Sequence, residues 1–567
     1  MKWAELFPSR EDMPNSASSF YIGGVTLSEG SELTFTEGDV LLIVGPNNSG
    51  KSTFLRNIAD FLRDSRIARK MLVKVELKTT IDIVRERIRE VYNVQESELQ
   101  LLILNADQNI DFSVSVYDWS VENPQLDKAV RAFATTLNAE TRLSLSNPTD
   151  TLDIQFGRPS HPFHNFMLNR EVLRKFAGVI KEAFSLDFTI TRIGNPLRGY
   201  VGSQFRNSED NLEADKEIPQ LGEPIDAQGD GIRSYSGIAA EIVGSDHPIT
   251  LLDEPEAFLH PPQAKKLGRL LLKELSPSRQ AFVATHSSDF LQGVLSSKSH
   301  RIKVLRLDRT YDSLSANLLE NEQLLSALIH PSVANSNLLD SLFFSQTVIC
   351  EGDADCGLFD WTVRELGDEK MTSKDRFWFA SGGKHQTPKI ARLLSTFGVD
   401  FRVILDLDAI ADWDLLSHLS ELKGLDIAPY RGRIASALRV LARPETAAVI
   451  SEIKGRIASN SESLDEGEAR VLLKDIQRSL EKVRRSQPLK QYGVAAFRNG
   501  QERKDVQIFL QRLTDVGIIL LPKGELESYV PEVGLHGPGW AHAVLEDDEA
   551  HKVALRELLS DISHGIS

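Results

Sequence analysis

Nine residues constrain this chain more than any others: Gly45-Pro46-Asn47-Asn48-Ser49-Gly50-Lys51-Ser52-Thr53, a complete G-x-x-x-x-G-K-[ST] phosphate loop. The run Val40-Leu41-Leu42-Ile43-Val44 before it predicts a buried strand. Ser52 to Leu62 after it predicts a helix with Phe54, Leu55, Ile58 and Leu62 on one face. The chemistry requires that order. Glycines let the backbone wrap an anion, so that N–H groups and the helix N-terminus face phosphate. Lys51 would reach the β- and γ-phosphates, and the Ser52 hydroxyl would ligate Mg²⁺. Gly45, Asn47, Asn48, Ser49, Gly50 and Thr53 complete the expected ATP cradle. The chain is therefore expected to be α/β and to bind ATP.

Further motifs follow in a set order. Pro248 to Glu256 is an apolar strand ending in acids, a Walker B element. Asp253 would hold Mg²⁺ through its water shell, and Glu254 would polarise the attacking water. Leu259 to Gln263 has the character of a D-loop, which contacts a partner's nucleotide site. Ala281 to Ser287 predicts a strand ending in His286, placed to sense the γ-phosphate. Gly229 to Gly237 stands where a signature loop would complete a second subunit's site, through Ser234 or Ser236. This arrangement resembles the ABC-type ATPase heads of the SMC and DNA-repair group, although the Leu-Ser-Gly-Gly-Gln signature is absent. Between 63 and 228 lies a less legible insert, expected to take part in dimerisation. It has strand-like runs at Leu72–Leu77, Leu101–Leu104 and Phe188–Ile193, and Ser203–Glu217 is expected to be an exposed loop. A coupling-loop glutamine is expected here without being assigned.

A second pattern begins near residue 340. Thr347-Val348-Ile349-Cys350 leads into Glu351-Gly352-x-x-Asp355, and Phe401-Arg402-Val403-Ile404-Leu405 leads into Asp406-x-Asp408. Between them come a helix (Phe359–Leu366), a short strand (Phe377–Ala380) and Ser381-Gly382-Gly383-Lys384. Acids at the C-terminal ends of parallel strands sit where α/β sheets place ligand sites. Glu351, Asp406 and Asp408 would converge on Mg²⁺ or Mn²⁺, hard cations that prefer oxygen ligands. The pattern resembles a Toprim domain. After a third apolar strand (Val516–Leu521) comes Pro522-Lys523-Gly524-Glu525-Leu526-Glu527-Ser528-Tyr529.

An ATPase head followed by Toprim and this late element resembles the OLD (overcoming lysogenization defect) family of ATPase–nucleases, many of them in anti-phage defence. The resemblance spans nearly the whole chain. It implies an ATPase domain over 1–335 and a Toprim nuclease domain over 340–567. It pairs Glu351 with Asp355 and Asp406 with Asp408 as metal-site acids, adds Glu525 and Glu527, and gives Lys523 the stabilisation of transition-state charge. The implied reaction is metal-dependent cleavage of DNA in a homodimer or larger assembly, with ATP as the control input. A companion defence protein or structured nucleic acid is a further implied partner. Two other readings stay open: an ATP-gated sensor recruiting a separate effector, and a topoisomerase-like enzyme, for which Tyr529 is the nearby nucleophile.

The region from about 412 to 487 predicts a helical insertion, a hairpin packed on itself, with Leu473, Ile476, Leu480 and Val483 on one helix face. Lys482, Arg484, Arg485, Arg498, Arg503 and Lys504 near its exit are either a solvated face or a DNA-backbone clamp. A net charge of −16 argues against coating nucleic acid by bulk charge, while local basic patches remain compatible with it. Two cysteines, Cys350 and Cys356, make neither a metal quartet nor a disulfide framework. The N-terminal residues lack a signal-peptide layout, and no apolar run is long enough to span a membrane, so a cytoplasmic protein is expected.

Overall fold

The computed structural model describes residues 20–63, 71–78, 87, 133–152, 159–191, 195–203, 205, 212–309, 314–319, 337–441, 446–459, 472–473, 476, 487–497 and 500–566. The chain divides into two compact units, Met1–Phe343 and Phe344–Ser567.

The first unit is built on a sheet of six described strands. Its order is Leu314–Leu319, Ile302–Arg309, Val40–Val44, Gln280–Ala284, Ile249–Asp253 and Ala134–Leu137. All neighbours run parallel except the Leu314–Leu319 edge. The phosphate-loop strand Val40–Val44 is buried throughout, as its unbroken apolar run requires of a central parallel strand. The helix Lys51–Arg63 follows and buries Phe54, Leu55, Ile58 and Leu62 in the core beneath the sheet. A smaller antiparallel sheet joins Tyr21–Leu27 to Glu32–Thr34 and Leu72–Lys78. Its residues Ile22, Val25, Leu72 and Val75 belong to the same core.

The insert holds a third sheet, Asp187–Ile190 with Gly199–Gly202 and Glu223–Pro224. The expected strand at 101–104 lies outside the described residues. The expected loop at 203–217 is corrected in part: a helix spans Leu212–Leu221, burying Ile218 while Lys216 and Glu217 face solvent. Lys216 and Glu217, part of the polar stretch read as a loop, lie on its exposed face.

The second unit carries four described parallel strands in the order Arg376–Ala380, Gln346–Cys350, Asp400–Leu405 and Ile518–Leu520. The helix Asp353–Leu366 and the C-terminal helix Asp548–Ile566 pack over the sheet through Leu358, Phe359, Leu555, Leu558 and Ile562. Because the strands are parallel and in register, their C-terminal ends meet at one edge. That edge holds Glu351, Asp406 and the Pro522–Glu527 turn.

Beyond Asp408 come the helices Trp413–Leu422, Arg431–Val440 and Thr446–Ser459. They are not simply a hairpin packed on itself. Trp413 stacks on Phe509 with ring centroids 5.9 Å apart, and Tyr430 approaches the same ring at 5.4 Å, so the start of this region docks on the helix Gln501–Asp515. Leu473 is 65% exposed, against the expectation of a packed face there. Leu480, Val483, Lys482, Arg484, Arg485 and Arg498 lie outside the described residues. Among the described residues no helix is long and apolar enough to cross a membrane.

Candidate functional sites

The nucleotide site begins with the shape of the loop. Gly45 (φ +145°), Asn48 (φ +61°) and Gly50 (φ +99°) take backbone conformations unfavourable to most side chains. A Cβ on Gly45 would lie 2.0 Å from the Leu307 carbonyl oxygen, so only glycine lets the loop turn against the neighbouring strand. Lys51 Nζ donates to the carbonyls of Gly45 (2.7 Å) and Pro46 (2.8 Å). Burial pushes its pKa down to about 8, partly opposed by Glu254, Glu256 and Asp253. Ser49 is buried beneath the loop, Asn47 and Asn48 are exposed at its tip, and Thr53 is half-buried. The Ser52 hydroxyl donates to Asp253 Oδ1 at 2.9 Å, so the two groups expected to serve one Mg²⁺ are adjacent. A glycine-lined cradle with a buried ammonium and a hydroxyl–carboxylate pair fits a nucleotide triphosphate with its hard cation.

Glu254 begins the turn after its strand with φ +49°, and its Oε1 lies 3.7 Å from His286 Nε2. Burial, with the Lys51 charge next, holds the His286 pKa below its usual value, so the ring is neutral near pH 7. Sequence reasoning passed over Glu256. Its carboxylate accepts from the Thr285 hydroxyl (2.9 Å) and the His286 backbone N–H (2.6 Å), tying the Walker B turn to the histidine strand. The expected signature serines need restating. Ser234 and Ser236 lie inside the helix Asp230–Gly244, both buried, and Ser234 contacts the Ala257 carbonyl at 3.4 Å. Neither hydroxyl is presented at the surface of this chain. The helix N-terminus itself is formed by Gly229, Asp230 and Gly231.

In the second unit, ligand oxygens of Glu351, Asp406 and Asp408 all lie within 4.8 Å of one another. Burial, with the Asp406 charge next, pushes the Glu351 pKa up to about 7, and burial also raises Asp406. Asp408 is buried, and its Oδ1 has no hydrogen-bond partner among the described residues. Three crowded carboxylates with one orphaned oxygen fit a divalent, oxygen-preferring ion. Glu525, Glu527 and His536 form a second group within the same 4.8 Å limit. His536 was not singled out in the sequence. Asp355 accepts from the Gly352 N–H at 3.0 Å, and burial raises its pKa to about 6, but it belongs to neither group.

The cations differ from expectation. Lys523 Nζ pairs with Glu557 at 2.6 Å and lies 5.0 Å from the centre of the Tyr529 ring. It is directed at the C-terminal helix rather than at the acid triplet. The lysines at the acids are Lys490, 2.8 Å from Asp406 Oδ2 and 3.8 Å from Glu525 Oε2, and Lys384, 2.7 Å from Asp408 Oδ2. Burial would lower the Lys490 pKa, but the Asp406 charge overrides it and the net shift is upward. Gly524 explains how Lys490 arrives: at φ +114°, its missing Cβ would lie 2.0 Å from the Lys490 carbonyl. That carbonyl also accepts from Glu525 N (3.2 Å) and Ser528 Oγ (3.0 Å). Lys384 rides on the Ser381–Gly383 turn, where Gly382 and Gly383 have positive φ and the Gly383 N–H donates to the Glu351 carbonyl. The glycines of Pro522-Lys523-Gly524 and Ser381-Gly382-Gly383 were the available sequence signal for close approach, though not for which lysine approaches.

Residues 40–291 match the family model described as "AAA domain, putative AbiEii toxin, Type IV TA system". Residues 342–408 match "Overcoming lysogenization defect protein-like, TOPRIM domain". An AAA-type ATPase match followed by an OLD-like Toprim match is the domain order of OLD-family ATPase–Toprim fusions, which this chain resembles. The Old nuclease of Escherichia phage P2 is 20% identical over 176 residues, 30% of this chain and 29% of that protein. The hemin import ATP-binding protein HmuV of Rhodopseudomonas palustris (strain BisB18) is 48% identical over 50 residues, 9% of this chain and 19% of that protein. The chain thus matches under a third of the length of either relative. Among solved structures, an SmcHead bound to the C-winged helix domain of ScpA aligns with 54% of this chain and 99% of its own, at 13% identity and TM-score 0.33.

Proposed function

We propose that this chain is an OLD-family, ATP-binding and ATP-hydrolysing, divalent-metal-dependent DNA endonuclease whose nucleotide state controls cleavage in the Toprim unit. The observation that carries this reading is the convergence of Glu351, Asp406 and Asp408 with the orphaned Asp408 Oδ1. A divalent ion held there, Mg²⁺ or Mn²⁺, supplies water activation and charge for the leaving oxygen. Glu351, Asp406 and Asp408 hold that ion. Glu525 and Glu527, joined by His536, offer a second group of ligands, and Asp355 orders the loop beside the first. Lys490 and Lys384 place positive charge where a phosphodiester would lie. In the first unit Lys51, Ser52 and Asp253 bind Mg²⁺–ATP, and Glu254 orients water beside a neutral His286.

Assembly as a homodimer or larger oligomer, cytoplasmic anti-phage defence, and a companion protein or structured nucleic acid as trigger extend the same reading. A topoisomerase-like route is less well supported: Tyr529 is buried and donates its hydroxyl to Asp561 at 2.5 Å, which suits packing rather than attack on DNA.

The test is cleavage of supercoiled, linear and single-stranded DNA with Mg²⁺ or Mn²⁺, under no nucleotide, ATP and a non-hydrolysable analogue. Asp406→Ala is expected to abolish cutting while ATP binding persists. Undiminished cutting by that variant refutes the metal assignment.

A further inference from the structure

Arg142 is absent from every motif in the sequence, yet it is 1% exposed and lies beneath the Walker B turn. The strand Ala134–Leu137 runs parallel to Ile249–Asp253, pairing Leu137 with Leu252. The chain then turns into the helix Ala139–Ser144 through a capping box: Asn138 Oδ1 accepts from Glu140 N and Thr141 N, and Thr141 Oγ1 accepts from Asn138 N. This locally coded turn places Arg142 level with the end of the adjacent strand. Its Nη1 donates to the carbonyls of both Asp253 (3.1 Å) and Glu254 (2.6 Å). Its guanidinium carbon is 5.7 Å from the centre of the Phe258 ring, in the turn that follows. Its Nε and Nη2 have no hydrogen-bond partner among the described residues. Its own carbonyl lies against Gly237 of the helix Asp230–Gly244, where a Cβ would come within 1.9 Å.

Burying an arginine with two unpartnered nitrogens is costly and needs a return. The beneficiary is Glu254, whose left-handed backbone is unfavourable for a residue with a side chain. One cation gathers the two carbonyls on either side of that strained residue. We infer that Arg142 is a positioning residue for ATP hydrolysis: it holds the Asp253–Glu254 turn so that the Glu254 carboxylate is aimed at the attacking water. In this role Arg142 acts through the Asp253 and Glu254 carbonyls rather than on the nucleotide. The inference rests on the ATP-hydrolysis reading of the first unit and is independent of the nuclease reading.

The experiment measures steady-state ATP turnover and equilibrium binding of a fluorescent ATP analogue by the full chain. It compares wild type, Arg142→Met, Arg142→Lys, Glu254→Gln and the Arg142→Met/Glu254→Gln double variant. A misaimed catalytic group costs roughly 10²-fold in kcat. Arg142→Met is expected to lose about that much with KM and analogue affinity within about threefold of wild type. Arg142→Lys, which restores one donor cation, is expected to recover part of the rate. In the Glu254→Gln background the Arg142→Met loss is expected to vanish, because there is no carboxylate left to aim. A merely structural arginine would instead lower affinity and rate together and add its loss to that of Glu254→Gln. That pattern, or kcat within twofold of wild type in Arg142→Met, overturns the inference. If Arg142→Met does not fold, Arg142→Lys decides: reduced kcat at unchanged KM supports the role, and unchanged kcat overturns it. If Glu254→Gln itself turns over at the wild-type rate, the hydrolysis reading has failed, an outcome distinct from failure at Arg142 alone.

Discussion

Replacing Lys490 with Met removes the ammonium 2.8 Å from Asp406 and 3.8 Å from Glu525, and leaves Asp406 without its cation beside Glu351 and Asp408. At an effective dielectric constant of about 20, a unit charge at 2.8 Å contributes on the order of 6 kcal/mol of attraction before desolvation. Lys490 is one-third exposed, so solvent screening and its own dehydration reduce the net to roughly 2 kcal/mol. For a unit of this size, residues 344–567, that corresponds to a fall of about 4–8 °C in its melting temperature. The fall should depend on metal. A divalent ion among Glu351, Asp406 and Asp408 supplies the charge that the lysine supplied. Thermal melts in EDTA should therefore show the full difference between Lys490→Met and wild type, and millimolar Mg²⁺ or Mn²⁺ should close most of it. The variant should also gain more stability from metal than wild type, since no ammonium competes for Asp406. An equal deficit with and without metal would refute the reasoning, because Lys490 would then be a packing residue and the acids would hold no ion.

Two further outcomes are expected. Lys523→Met should lower DNA cleavage much less than Lys490→Met, because Lys523 is spent on Glu557; a nuclease assay with both variants ranks them, and the reverse order would return Lys523 to the site. Acid should loosen the first unit through His161, which caps the helix Pro162–Leu168 by accepting the Phe163 N–H on Nδ1, a bond that only the unprotonated nitrogen can make. Burial, with His164 next, lowers its pKa to about 4 from a free value near 6.5. The contribution is present above pH 6.5 and is lost as pH falls through 4, at most about 3 kcal/mol. Chemical denaturation from pH 7 to 4 should show that slope in wild type and a shallower one in His161→Asn, and parallel slopes refute it.

What was legible in the sequence was local. A phosphate loop is a run of consecutive residues whose glycines, lysine and serine carry their backbone requirements with them. Acids at the ends of apolar runs were legible because a parallel sheet brings such ends to one edge whatever connects them. The strands at Val40, Ile249, Gln280, Gln346 and Asp400 lie where their apolar runs placed them, within a residue or two. The failures were also physical. The polar stretch Ser203–Glu217 reads as loop, yet a helix spans Leu212–Leu221 with Ile218 buried and Lys216 and Glu217 exposed. Ser234 and Ser236 stand in a plausible motif, and the structure adds only that both lie buried within the helix Asp230–Gly244.

Neutralisation was beyond the sequence. Lys490 reaches Asp406 across 84 residues, Arg142 reaches Glu254 across 112, and Lys523 turns to Glu557 across 34. A lysine's sequence position limits its neighbours only to within a long flexible stem, and packing decides which acid lies inside that reach. The sequence by itself determined that this chain has a phosphate-binding loop and a carboxylate cluster. The tertiary structure decided which cations pair with the carboxylates and which buried arginine steadies the Walker B turn, because charge balance is settled by proximity in space and not along the chain.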